Sequence, residues 1–132
     1  MTIKTPPTWK ILPVLEIIKS AYIMWQNYIP TIPKTSRYTL VETIDKYFIQ
    51  TIESILVASF LEKQEKQPFI RKAIISLDTL KFLLYILWEI KALDTKKYTA
   101  LSEPLATAGK QLGGWYGQIV KQNSPDKKSG EK

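Results

Sequence analysis

Ser76-Leu77-Asp78-Thr79-Leu80-Lys81-Phe82-Leu83-Leu84-Tyr85-Ile86-Leu87-Trp88-Glu89-Ile90-Lys91 decides the fold, because its apolar residues fall on every side of the helix it must form. At about 100° per residue, Ile70, Ala73, Ile74, Leu77, Leu80, Leu84, Leu87 and Trp88 make one stripe. Ile75, Phe82, Leu83, Ile86 and Ile90 gather on roughly the opposite side. One stripe serves the chain's own core. The other calls for a second surface, and another copy of the same chain is the expected one. This outer stripe is therefore read as an oligomer interface.

Working outward, proline, glycine and polar clusters break the chain into segments that each carry helical periodicity. The first predicted helix runs from Pro13 to Tyr28, with Val14, Ile18, Ala21, Tyr22, Trp25 and Tyr28 on one face and Pro13 at a first-turn position. Pro30 and Pro33 end it. The second begins between Arg37 and Thr39 and continues to about Lys63, with Thr39 and Glu42 at the spacing of a capping box and Leu40, Ile44, Tyr47, Phe48, Thr51, Ile52, Ile55 and Ala58 facing inward. The third runs from Pro68 to Leu93. The fourth presents Tyr98, Leu101, Leu105, Ala108, Leu112, Trp115 and Ile119, spaced alternately by three and four. Short connections between long helices predict an all-α, up-down-up-down antiparallel four-helix bundle over residues 1–122. Residues 123–132 have no apolar anchor and read as a disordered polar tail.

With 132 residues the chain suits a single core. Its longest apolar run, Phe82 to Trp88, is far shorter than the roughly 20 residues of a membrane span. Pro6, Pro7, Pro13 and Glu16 prevent a secretory-type apolar segment, so a cytoplasmic location with no membrane partner is expected. The sequence has neither cysteine nor histidine, which removes thiolate nucleophiles, imidazole bases and the usual zinc ligands. No catalytic residue, metal site or cofactor is predicted.

The charge balance points elsewhere. There are 19 lysines and arginines against 12 acids, for a net charge of +7, and the pI near 9.5 favours polyanionic partners. From Thr95 onward lysine predominates, while Lys34 to Lys66 is neutral. Lys96, Lys110 and Lys121 share one side of the fourth helix, and Lys34, Arg37, Arg71, Lys72 and Lys97 stand near helix ends, where they are expected to border one end of the bundle. These eight are the candidate nucleic-acid or partner-binding residues. The plainer reading is a solvated face. Within the third helix, Asp78 and Lys81 are spaced for an intrahelical pair, and Lys81 and Lys91 are expected on the inward side.

Gly109, Gly113 and Gly117 repeat every four residues beside the apolar seam of the fourth helix, with Gly114 among them. Glycine costs about 1 kcal/mol relative to alanine inside a helix, so the series needs a reason. A smooth ridge for close helix packing would supply one. The approaching backbone can belong to the same chain, a second protomer or a ligand.

Ile32-Pro33-Lys34-Thr35-Ser36-Arg37-Tyr38-Thr39-Leu40, Leu77-Asp78-Thr79-Leu80-Lys81-Phe82-Leu83-Leu84, and Tyr98 with Leu101-Ser102-Glu103 and Gly109-Lys110-Gln111-Leu112-Gly113-Gly114-Trp115 resemble, in that order, the accessory variability determinant proteins of diversity-generating retroelements. These belong to a wider four-helix-bundle family that includes proteins encoded in intervening sequences of 23S ribosomal RNA genes. The resemblance spans Ile32 to Ile119. Departures from the pattern include Val41, where glycine is frequent, and Lys110 and Gln111 within the glycine-rich run. The resemblance implies a basic homopentamer that binds a reverse transcriptase and structured RNA from the template repeat region, supporting mutagenic copying without catalysing it. The alternative is a structural or ribosome-associated RNA-binding bundle of the intervening-sequence type.

Overall fold

The computed structural model describes residues 12–124, and all regular structure among them is helical. Four long helices form a bundle. Helix α1, Pro13–Tyr28, starts with its proline in the first turn, where the missing N–H has no intrahelical partner to lose. A short 3₁₀ turn, Ile29–Thr31, carries the chain away at Pro30.

Helix α2 spans residues 34–60, and its start differs from the sequence expectation. Helical backbone begins at Lys34–Ser36, passes through a π-helical turn at Arg37–Val41, and continues as Glu42–Phe60. The expected Thr39–Glu42 capping box is absent because Thr39 lies inside the helix, where its carbonyl accepts from Thr43 Oγ1 at 2.9 Å. The connection ahead of it is tied down by Arg37, which donates from Nε to the Ile32 carbonyl at 2.9 Å and from Nη2 to the Pro30 carbonyl at 3.0 Å. Ile32 is thereby held in the core.

Helix α3, Gln67–Glu89, follows a 3₁₀ turn at Lys63–Glu65. It ends earlier than its apolar pattern suggests. Lys91 takes a left-handed conformation with φ of 66°, while the Lys91 N–H bonds to the Trp88 carbonyl and the Ala92 N–H to the Leu87 carbonyl. This is the Schellman arrangement of a helix end. Asp94 then caps helix α4, Thr95–Gln122, its side chain accepting from the Lys97 N–H at 2.8 Å. Pro104 lies within α4 and leaves the Ala100 carbonyl without its usual N–H partner.

Helix α2 packs against α3, α3 against α4, and α4 against α1, with a lighter contact between α1 and α2. The expected inward residues meet in the middle. Ile18, Trp25, Phe48, Ile55, Leu77, Leu80, Leu87, Leu101, Leu105 and Leu112 are fully buried. Phe48 receives the edge of Tyr22, with ring centroids 5.3 Å apart, and stacks on Trp25 at 6.2 Å. A smaller cluster of Ala58, Ile70 and Ile119 closes one end, where Asn123 Nδ2 donates to the Lys63 carbonyl at 3.1 Å. Asn123, expected in the polar tail, thus belongs to the folded unit. The remainder of that expected tail from residue 125 onward, and residues 1–11 of the expected bundle, lie outside the described residues.

Candidate partner-binding surfaces

The eight basic residues do not gather at one end. Lys34, Arg37, Lys96 and Lys97 surround the end where α1 stops and α4 begins, as shown by Lys97 Nζ lying 5.8 Å from the centroid of the Tyr28 ring. Arg71 and Lys72 open α3, beside the α2–α3 connection that also receives the end of α4 with Lys121. Lys110 lies between the two groups on α4. Periodicity gave the face of each helix correctly and said nothing of which end its neighbours would meet.

Two of the eight are engaged internally. Arg37 is half-buried and holds two carbonyls of the α1–α2 connection. Lys97 pairs with Asp94 at 3.0 Å and caps the Tyr28 ring. The Asp94 carboxyl is held below its ordinary range, chiefly by the Lys97 backbone N–H and then by the Lys97 ammonium. Lys34, Arg71, Lys72, Lys96, Lys110 and Lys121 remain exposed.

The polar residues of α3 follow the plainer expectation in part. Lys81 Nζ lies 3.8 Å from Asp78 Oδ1, with both side chains partly in solvent. Such a pair adds little stability. Lys91 does not project inward: it is exposed on the turn after the helix, because its left-handed backbone carries it off the helical screw.

The outer stripe of α3 is divided: Ile75, Phe82 and Ile90 face solvent, whereas Leu83, expected at an interface between copies, packs against the core of its own chain. Ile75, Phe82 and Ile90 are 55%, 60% and 53% exposed, while Leu83 and Ile86 are half-buried. An aromatic row that sequence reading missed runs along its flank. Phe82 lies 6.1 Å from Tyr85, Tyr85 5.8 Å from Trp88, and Trp88 stacks on Tyr98 of α4 at 5.3 Å. The spacing of Phe82, Tyr85 and Trp88 by three was the available signal. Tyr85 donates to Glu89 Oε2 at 3.1 Å, and this bond to a carboxylate raises the phenol's pKa. Trp88 Nε1 donates to Thr95 Oγ1 at 3.0 Å, fastening the row to the start of α4.

The glycine series divides as well. A Cβ on Gly109 would meet Lys81 Nζ at 3.5 Å and Leu77 Cδ2 at 3.8 Å, so α3 and α4 are in ordinary contact there. At Gly113, Gly114 and Gly117 a Cβ would meet nothing within 4 Å among the described residues. Close packing by a helix of the same chain is therefore corrected at Gly113 and Gly117, which are exposed because they lie past the edge of the seam formed by Leu112 and Ile119.

Among the described residues, no group of three or more acidic side chains is placed to hold a metal ion, and no helix is long and apolar enough to cross a membrane. Neither protein-family models nor curated proteins give a match to this chain.

Proposed function

We propose that this protein is a non-catalytic accessory factor that binds a reverse transcriptase and its template RNA, supporting mutagenic copying in a diversity-generating retroelement of the cytoplasm. It works as a homo-oligomer of antiparallel, up-down-up-down bundles, and five copies is the number implied by the sequence resemblance. The observation that carries this reading is the exposed apolar stripe of α3 on a chain of net charge +7. A stripe of this kind favours association with another apolar surface. Assembly multiplies the positive field seen by a polyanion.

Two further observations support it. The second and third resembling segments pack together where Gly109 meets Leu77, so they form one structural unit. Gly113 and Gly117 are exposed and meet no other helix among the described residues, which favours close approach by a second copy.

The test combines sizing with capture. Light scattering at micromolar concentration is expected to show an oligomer, and Ile86→Lys is expected to dissociate it while helix content is kept. The wild type should co-purify with the reverse transcriptase encoded beside its gene and with RNA from the template repeat. A monomeric wild type, or an oligomer that retains neither partner, overturns the proposal. Retention of ribosomal RNA alone would favour the intervening-sequence reading.

A further inference from the structure

Lys66 Nζ is fixed at one wall of a cavity of about 500 Å³, bounded by the start of α1, the end of α2 and the C-terminal half of α4. It donates to the Ala58 carbonyl at 2.6 Å and lies 5.9 Å from the centroid of the Trp115 ring. An ammonium carries three N–H donors, so one carbonyl leaves it with donors to spare. Among the described residues, no carboxylate lines the cavity, and none forms an ion pair with Lys66. The charge at this wall is thus positive and uncompensated by an acid.

The remaining surface is of two kinds. Leu12, Pro13, Val14 and the Trp115 ring give apolar walls, while the Gln111 and Gln118 amides and the Ser59 hydroxyl supply neutral polar groups. Gly114 completes the lining without a side chain. It costs the helix about 1 kcal/mol relative to alanine and relieves no contact with the described residues, since a Cβ there would meet none of them within 4 Å. What Gly114 does accomplish is to keep that wall open. The volume falls within the roughly 300–1,000 Å³ of small-molecule sites, which are mostly apolar with a few convergent polar groups.

We infer that this cavity binds a small apolar monocarboxylate, its hydrocarbon body against Pro13, Val14 and Trp115 and its carboxylate accepting from Lys66. The inference is independent of the proposed RNA and reverse transcriptase partners. An acid fits this lining better than a base because the one formal charge among its described residues is positive, and a monoanion matches that single charge better than a polyanion does.

Calorimetric titration of the full chain with decanoate, and in parallel with neutral decanol, tests it below the concentrations at which either self-associates. One saturable decanoate site per chain is expected. Lys66→Met should weaken decanoate by about tenfold or more, as expected for losing a charge-assisted hydrogen bond, and leave decanol nearly unchanged. Gly114→Leu should remove both by filling the cavity, with helix content preserved because leucine is a better helix former than glycine. If Lys66→Met disturbs the end of α2, circular dichroism will reveal it and Gly114→Leu alone decides. Absence of saturable decanoate binding, or binding that survives Gly114→Leu, overturns the inference.

Discussion

Gln50 Nε2 donates a hydrogen bond to Ser76 Oγ at 2.9 Å, linking the middle of α2 to α3. Ser76 is 1% exposed, so its hydroxyl must find its partner inside the protein. Replacing Ser76 with alanine leaves the half-buried Gln50 amide short of an acceptor at the same helix interface. Urea unfolding should show a loss of about 1 kcal/mol. Gln50→Leu together with Ser76→Ala should restore much of that loss, because removing both partners leaves no unpaired group. A neutral single variant would mean that water already satisfies the amide.

Lys91 is the one non-glycine residue with positive φ among those described, at 66°. Left-handed backbone costs an L-residue roughly 1–2 kcal/mol, and glycine avoids that strain while adding entropy to the unfolded chain. The net expectation for Lys91→Gly is a gain of about 0.5–1 kcal/mol, read as a higher denaturant midpoint with unchanged slope. A lower midpoint would show that the lysine side chain makes a contribution the Schellman geometry does not reveal.

That turn also shows where sequence reading loses its grip. Apolar residues continue through Ile90, Ala92 and Leu93, so periodicity extends the helix to Leu93, but Leu93 is buried by the chain turning back rather than by another helical turn. Helix α1 was legible because proline acts through its own covalent geometry at Pro13 and Pro30. The seam of α4 was legible because Leu101, Leu105, Ala108 and Leu112 must all point one way. The start of α2 was not. Thr39 and Glu42 have capping-box spacing, yet the π-turn and the Arg37 anchor that place them inside a helix depend on the Pro30 and Ile32 carbonyls. The candidate binding residues were legible one helix at a time. Their division between two ends, and the internal duty of Arg37 and Lys97, are properties of tertiary contact.

Asp94 gives a pH signature. Its carboxyl has a folded-state pKa below the ordinary value of 3.8, because the ionised form accepts from the Lys97 N–H and ammonium. A depressed pKa contributes stability that is fully present above the unfolded value and is lost as pH falls through the folded one. Wild type and Asp94→Asn, which keeps an N-cap acceptor, should therefore differ by a constant amount from neutral pH down to the upper edge of carboxylate titration. The difference should shrink on further acidification. A gap that persists unchanged at acid pH would assign the effect to side-chain shape rather than charge.

The exposed cations Arg71, Lys72, Lys96, Lys110 and Lys121 are the positions at which charge can be removed with least harm to the fold. None of them takes part in an ion pair within 4.0 Å among the described residues. Changing all five to glutamine should leave circular dichroism and oligomer size nearly as they are, since exposed substitutions away from caps and networks usually shift stability by less than about 0.5 kcal/mol each. RNA affinity should behave differently. Each cation that neutralises a phosphate releases counterions, so the logarithm of the binding constant falls linearly with that of salt, by about 0.7–0.9 per phosphate contact. The variant should bind more weakly at low salt and with a shallower salt slope, and an oligomer would compound the deficit through its several copies. Arg37→Gln serves as the contrasting change: it removes the anchor of the Pro30 and Ile32 carbonyls and should lower stability first. Fluorescence anisotropy with a labelled structured RNA over a range of salt concentrations measures both quantities. An unchanged slope in a variant that remains folded and assembled would show these five to be a solvated surface and would move the search to the end of the bundle around Lys34.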